Sequence, residues 1–337
     1  MQDIKIAFFE VSKEDREYVE KNHQEHKILL FEEPLTVESA HHAKNCEVVS
    51  IFINSKVDTA VLECLPDVKL ITTRSTGFDH INLKDCSVRN VRVSNVPYYG
   101  ENTVAEHAFA LILALSRNVH KSYMRTLRSD FSIDGLKGFD LNGKTLGVIG
   151  TGRIGMHMIR IAKGFGMHVL ASDVRHDVFL SEILHFNYVD MDQLLAQSDI
   201  ISLHLPYNES THHLINEESI KKMKSGVLLI NTARGGLIDN NALIQGLDQK
   251  IIAGAGLDVM EGEELIREEK QLLRHSEKSS SKLEELLKNH LLLSQDNVVF
   301  TPHIAFYSQE ALERILNSTM ESIENFRQGT LVNEVKM

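Results

Sequence analysis

The chain has 337 residues, 42% of them apolar, and a formal net charge of −11. The length suits two domains and the composition suits a globular protein. The acidic balance with no basic run argues against nucleic acid or an anionic membrane as the main partner, and no run of about 18 apolar residues marks a transmembrane helix.

In chain order, Ile4–Phe9 reads as a first strand, and the N-terminus lacks the basic start and long apolar core of a signal peptide. Ser12 ahead of Lys13, Glu14 and Asp15 marks a helix start. Apolar runs at Ile28–Phe31, Val48–Ile53, Leu70–Thr73 and Val91–Val93 predict further strands. Strands alternating with helices imply a parallel sheet covered on both faces. Arg74-Ser75-Thr76-Gly77-Phe78 falls at a strand end, where ligands of open α/β sheets gather. Gly77 is either a plain turn or a place where backbone N–H groups meet a small anion. No glycine-rich phosphate loop occurs in residues 1–100, so the dinucleotide is expected elsewhere. Cys46, Cys64 and Cys86 are odd in number and lack CxxC spacing, which fits reduced thiols in a cytoplasmic protein and no metal site.

Asn95–Gly100 breaks the pattern and reads as a segment crossing between domains. A long helix follows, with Thr103 and Glu106 at capping-box spacing. Val104, Ala108, Leu111, Ile112 and Leu115 form one stripe, and Ala105, Phe109 and Ala114 widen it. So broad an apolar surface is more than a half-exposed helix needs. It is expected to pack between domains or, the favoured reading, to form a homodimer contact through residues 101–120.

Leu146–Gly155 runs as a short strand into a turn with G-x-G-x-x-G spacing at Gly150, Gly152 and Gly155, and a helical pattern follows. The glycines give a tight turn, room for a pyrophosphate, and close helix–strand packing. The helix N-terminus presents free N–H groups to the phosphates. A second strand pattern, Met167–Ser172, ends in Asp173, 18 residues past Gly155 and near the offset of about 20 expected of a ribose-binding acid. Asp173 would accept from both ribose hydroxyls and repel a 2′-phosphate, so NAD is the expected cofactor; Arg175 close by keeps NADP open.

Later strands at Ile200–Leu203, Val227–Ile230 and Ile252–Leu257 end in His204-Leu205-Pro206, Asn231-Thr232-Ala233-Arg234-Gly235 and Asp258-Val259. Parallel strands place all three clusters on the sheet edge that carries the glycine turn. Residues 261–290 are highly charged and read as a helical excursion with a flexible tip, exposed and functionally neutral. Asn297–Phe300 is a short strand ending at Thr301-Pro302-His303, and Ser308–Phe326 is an amphipathic helix carrying Leu312, Ile315, Leu316, Met320 and Ile323. This helix is expected to return to the first domain. The division predicted is a substrate domain of residues 1–100 and 305–337 around an inserted NAD-binding domain of residues 101–304.

A dinucleotide implies hydride transfer. Transfer to a 2-oxo acid needs a cation for the carboxylate, and Arg234 has the planar fork for it. It needs a proton donor to the carbonyl oxygen, and His303 is the side chain that titrates near neutrality. A carboxylate hydrogen-bonded to His303 would favour its protonated form, and Glu261, Glu263 and Glu264 are all candidates.

Four motifs in this order resemble the D-isomer-specific 2-hydroxyacid dehydrogenases: Gly147–Gly155, Leu229–Gly235, Gly256–Glu263 and Thr301-Pro302-His303. The resemblance spans nearly the whole chain. It implies an α/β protein of two Rossmann-like parallel-sheet domains, a discontinuous flavodoxin-like substrate domain and an inserted NAD-binding Rossmann domain, with the cleft between them. The first domain is expected to close on the substrate. The implied catalytic set is Arg234, Glu263 and His303. Arg153 and Ile154 are implied at the pyrophosphate and Asp173 at the ribose. His204, Leu205, Pro206 and Thr211 are implied along the cofactor. Thr232, Ala233 and Val104 fall on its nicotinamide side, with Asp258 at the carboxamide. Thr76 and Gly77 are implied at the substrate carboxylate, and Tyr99 and Phe306 around its side chain. Ala305-Phe306-Tyr307 and Val96-Pro97-Tyr98-Tyr99 resemble the D-lactate dehydrogenase branch. The implied activity is reduction of pyruvate by NADH. The alternatives are another 2-oxo acid substrate, or an NADH-sensing protein like the family's corepressor relatives.

Overall fold

The computed structural model describes residues 4–23, 27–263 and 280–336. Glu264 and the charged stretch up to residue 279 lie outside the described residues. In chain order the elements are β1 (Ile6–Phe8), α1 (Lys13–Asn22), β2 (Ile28–Leu30), β3 (Val48–Ile51), α2 (Thr59–Glu63), β4 (Leu70–Thr73), α3 (Leu83–Val88) and β5 (Arg92–Ser94). Then come α4 (Glu101–Ser116), α5 (Val119–Thr126), β6 (Thr145–Ile149), α6 (Arg153–Gly164), β7 (His168–Ser172), α7 (Val178–Leu184), β8 (Asn187–Tyr188), α8 (Met191–Gln197) and β9 (Ile200–Leu203). The chain closes with α9 (Glu217–Lys221), β10 (Val227–Asn231), α10 (Asn240–Asp248), β11 (Ile252–Leu257), α11 (Ser280–Leu293), β12 (Val298–Phe300) and α12 (Gln309–Arg327).

The chain divides into two compact units, residues 1–100 with 307–337, and residues 101–306. In the first, a wholly parallel sheet has the order β2-β1-β3-β4-β5, the flavodoxin-like arrangement. Alternation along its strands makes two cores. Ile6, Phe8, Val48 and Leu70 face α12 through Leu316, Met320 and Ile323, while Ala7, Phe9, Val49, Ile51 and Ile71 face the opposite layer. Ser12 caps α1 with a full capping box to Asp15, and Ser308 caps α12 through the Ala311 amide.

In the second unit the order is β12-β11-β10-β9-β6-β7-β8, again all parallel. The direction of winding reverses between β6 and β9, which makes the crevice beyond their C-terminal ends the ligand position of a doubly wound sheet.

Three expectations need correction. Helical backbone begins at Glu101, directly after Gly100, so Thr103 lies inside the first turn of α4 and not at its N-cap. Glu101 is the acid that the helix dipole favours there. Second, most of the broad face of α4 packs within its own unit: Ala105, Ala108, Phe109, Leu111, Ile112 and Leu115 belong to one core with β6 and α6. Gly254 and Gly256 of β11 leave the room, because a methyl group on either would press on Leu115 or Leu111. The exposed apolar residues come later, at Val119, Tyr123, Met124, Leu127, Phe131 and Ile133. Third, the end of the charged excursion is not exposed throughout. Helix α11 buries Leu286, Asn289 and Leu292, and Asn289 accepts from Asn240 Nδ2 at 2.9 Å.

Candidate active site

The glycine turn at the end of β6 is built as its spacing requires. Gly150 has φ +94°, a conformation that suits glycine, and a methyl group there would stand 2.6 Å from the carbonyl oxygen of His204. A methyl group on Gly155 would collide with the Gly150 carbonyl, so helix α6 packs tightly on the turn. At Gly152, the N-cap of α6, an added methyl group would have nothing within 4 Å. Gly152 therefore borders open space, as a pyrophosphate in front of the helix N-terminus needs. Arg153 is exposed and reaches Glu101 at 3.6 Å, while Ile154 is half-buried against the core beneath the turn.

Asp173 stands at the tip of β7, facing the same turn. Its Oδ2 accepts from the Thr151 amide at 2.6 Å and the Thr151 hydroxyl at 3.1 Å, and its Oδ1 from the Arg175 amide at 2.9 Å. Desolvation alone would raise its pKa, but these donors together hold the carboxyl below the usual aspartate value. A cleft of about 1060 Å³ is lined by Gly152, Arg153, Asp173, Arg175 and His176. An ionised acid beside a glycine turn and a helix N-terminus fits an adenosine ribose and its diphosphate.

Across the crevice, the His204 amide donates to the Ile149 carbonyl at 2.8 Å, and its ring Nε2 lies 2.9 Å from Ser202 Oγ. Burial pushes the His204 pKa down to about 3, so the ring is neutral at physiological pH. Leu205 packs against Gly150, and Thr211 Oγ1 donates to the Pro206 carbonyl at 2.8 Å, which closes the loop after β9. At the end of β10, Ala233 N donates to Asn231 Oδ1 at 3.0 Å. Thr232 is buried, and its hydroxyl finds no hydrogen-bond partner among the described residues. An orphaned buried hydroxyl at this sheet edge is what a polar bound group would satisfy.

The proposed chemistry residues hang from β10, β11 and β12, which are neighbours in the sheet. Arg234 is half-buried, with Nη1 donating to the Ala233 carbonyl at 2.7 Å. The adjoining Gly235 lies so close to the Met260–Glu261 backbone that a side chain there would clash, which sets the Arg234 turn against the turn carrying Glu263. Glu263 Oε2 accepts from the Met260 amide at 3.1 Å, and Oε1 lies 2.8 Å from His303 Nδ1. It is therefore Glu263 that meets His303; Glu261 turns instead to His213. A carboxylate only accepts, so Nδ1 of His303 carries the hydrogen and Nε2 is the nitrogen left to face a reactant.

Asp258 does more than its sequence position suggests. It is fully buried, and its carboxylate accepts from Thr301 Oγ1, from the Ile304 amide at 2.9 Å and from the Ala305 amide at 2.8 Å. His107 of α4 lies 2.9 Å from Thr301 Oγ1 and 3.5 Å from Asp258 Oδ1. Most of the carboxylate is thus engaged in fixing the turn that bears His303, rather than turned toward a carboxamide. Neither this anchor nor His107 has a spacing signal, because the partners are 43 to 194 residues apart.

Val104 is buried in α4 and Phe306 is half-buried just past the turn. Thr76, Gly77 and Tyr99 belong to the other unit. There Thr76 Oγ1 donates to the Val96 carbonyl at 2.9 Å, Ser75 Oγ to the Gly77 carbonyl at 2.6 Å, and Arg314 Nε to the Tyr99 carbonyl at 2.6 Å.

Comparison with known proteins adds to this geometry. Residues 109–305 match the family model of the D-isomer specific 2-hydroxyacid dehydrogenase NAD binding domain. D-lactate dehydrogenase of Escherichia coli K12 is 38% identical over 337 residues, covering 98% of this chain and 100% of that protein. The apo structure of the E. coli enzyme superposes with a TM-score of 0.86 at 36% identity, over 99% of this chain and 100% of that one. D-lactate dehydrogenase of Aquifex aeolicus, solved with NAD and lactic acid, gives 0.84 at 39% identity over 96% of each chain. The chain belongs to the D-isomer-specific 2-hydroxyacid dehydrogenase family, in its D-lactate dehydrogenase branch, and is an NAD-dependent oxidoreductase.

Proposed function

We propose that the enzyme interconverts pyruvate and D-lactate, with NADH as the reductant of pyruvate. The carrying observation is the 2.8 Å contact between His303 Nδ1 and Glu263, within a chain so similar to D-lactate dehydrogenases. Bound NAD supplies or accepts the hydride. Arg234 holds the substrate carboxylate and polarises the carbonyl. His303 Nε2 gives the carbonyl oxygen its proton in reduction and removes it in oxidation. Glu263 stabilises the protonated ring and fixes its tautomer.

By the same reading, the unit of residues 101–306 binds the cofactor. Gly150, Gly152, Arg153, Ile154 and Gly155 hold the diphosphate, and Asp173 the ribose. His204, Leu205, Pro206, Thr211, Thr232, Ala233 and Val104 line the rest, with any spare acceptor of Asp258 toward the carboxamide. Thr76 and Gly77 are assigned to the substrate carboxylate, and Tyr99 and Phe306 to its short side chain. The test is NADH oxidation across a panel of 2-oxo acids. Highest kcat/KM with pyruvate is expected. Preference for glyoxylate, hydroxypyruvate or a bulkier acid would move the assignment within the family, and no turnover with any of them would favour an NADH-sensing protein.

We also infer a cytosolic homodimer. No described helix is long and apolar enough to cross a membrane, and the three cysteines are free. The dimer contact is placed on the segment after α4, where Tyr123, Leu127, Phe131 and Ile133 are 62%, 63%, 78% and 83% exposed. Sedimentation of Leu127→Glu/Phe131→Glu is expected to give a monomer; an unchanged mass would exclude this surface.

A further inference from the structure

A second group of metal-competent side chains lies in the same unit, beside the Arg234, Glu263 and His303 set and sharing none of its residues. The loop after β9 carries His212 and His213, and the turn after β11 carries Glu261. Nε2 of His213 is 3.0 Å from each carboxylate oxygen of Glu261. The His212 ring stacks on that of His213, with centroids 3.7 Å apart and 27° between the planes. One ring nitrogen from each histidine and one Glu261 oxygen lie within 4.8 Å of one another.

The mounting is rigid. The His213 amide donates to the Gly236 carbonyl at 2.9 Å, and its own carbonyl accepts from Asn216 Nδ2 at 3.0 Å. The Glu261 carbonyl is held by Asn240 Nδ2 at 3.2 Å and Asn289 Nδ2 at 3.1 Å, and both asparagines are buried. Tyr207 Oη lies 3.1 Å from Nδ1 of His212, which orients that ring from outside as a supporting hydrogen bond does in metal sites. His213 has φ +48°, an unfavourable backbone for a residue with a side chain, held by these contacts.

We propose that His212, His213 and Glu261 form a binding site for a divalent transition metal of the zinc class. Two imidazoles and one carboxylate are the ligand types that such ions take, with water completing a tetrahedron. Calcium and magnesium call for oxygen ligands and suit the set poorly. Ligand bonds of about 2.0–2.2 Å put tetrahedral ligand atoms roughly 3.3–3.6 Å apart. The His213–Glu261 separation is already close to that, so only the exposed His212 ring must swing. A metal ion binds only unprotonated imidazole, so it competes with protons and binding strengthens as pH rises. It also cross-links the loop after β9 to the turn that ends at Glu263, two residues on from Glu261.

The experiment uses the untagged, full-length protein stripped with a chelator. Zn²⁺ is titrated by calorimetry, and Co²⁺ by the visible absorption that reports tetrahedral coordination. One equivalent is expected to bind, with a raised melting temperature. His212→Gln, His213→Gln and Glu261→Gln are each expected to weaken binding at least about tenfold, in keeping with loss of one ligand. His303→Gln is expected to bind the ion like wild type, which separates this site from the catalytic histidine. His212 is exposed, so its variant folds even if the His213 variant does not. Absence of uptake by the wild-type protein overturns the proposal. So does unchanged affinity in His212→Gln, or loss of binding in His303→Gln alone.

Discussion

The carbonyl of Asp258 accepts the amide of His303 at 2.9 Å, while the carboxylate of Asp258 accepts the next two amides, those of Ile304 and Ala305. One buried residue therefore holds three consecutive N–H groups of the turn. In Asp258→Asn, a donor amide faces one of those donors. Leaving one such group unsatisfied costs about 1–3 kcal/mol. A lowered melting temperature and a lower kcat are expected. Wild-type melting and turnover would show that the turn holds itself.

His303 has φ +57°. Asparagine tolerates that conformation better than most residues, so His303→Asn removes the acid–base group with little backbone cost. Turnover of pyruvate is expected to fall about 10²–10⁴-fold, while NADH binding, followed by fluorescence, is retained. Near-normal turnover would remove His303 from the proton-transfer role.

Two glycines of one turn separate folding from binding. Gly155→Ala places a methyl group against the Gly150 carbonyl and is expected to lower stability and cofactor affinity together. Gly152→Ala meets no protein atom and leaves melting unchanged within about 0.5 kcal/mol, as for surface substitutions. It is nevertheless expected to weaken NADH binding. Undisturbed NADH affinity in Gly152→Ala would place the diphosphate elsewhere.

Asp173 has a lowered pKa in the folded protein, so its contribution to stability is present above the unfolded aspartate value of about 3.9 and is lost as pH falls through the lower folded value. The melting-temperature gap between wild type and Asp173→Asn should be constant near neutrality and close only in acid. The same variant should lose NADH affinity and gain in relative use of NADPH, because the charge that repels a 2′-phosphate is gone. An unchanged cofactor ratio would take Asp173 off the ribose.

His204 acts in the same pH direction for a different reason, because burial favours its neutral form. Its pKa is about 3 folded against about 6.5 unfolded, so the unfolded chain binds the extra proton and stability is lost as pH falls from about 6.5 toward 3. His204→Gln should flatten that part of the curve of melting temperature against pH. A variant that loses stability as steeply as wild type over this range would point to other groups.

Local signals give β4 at Leu70–Thr73, the Ser12 cap and the glycine turn, because each depends on a few adjacent residues. The choice of Glu263 over Glu261 comes from motif resemblance; the residues alone leave it open, since two glutamates two positions apart have the same chemistry. Their separation arises from the turn, which sends one to His303 and the other to His213. The cover of α4 escapes the sequence for a related reason. The groove that accepts Leu111 and Leu115 is made by Gly254 and Gly256, more than a hundred residues downstream, and a missing side chain leaves no periodic trace.

The unit that begins the chain also ends it. Met320 and Ile323 of α12 pack on Ile6, Phe8 and Val48, and Arg92 on β5 is bidentate to Glu334 at 2.7 and 3.0 Å. On the ribosome, domains generally fold as they emerge, N-terminal first. Here that order is inverted. Residues 101–306 have all their strands and helices in hand before α12 is made, while the first hundred residues wait with one face of their sheet covered only in part, by α1. Nascent-chain proteolysis should therefore find the inserted unit protected first, and the unit synthesised earliest protected last.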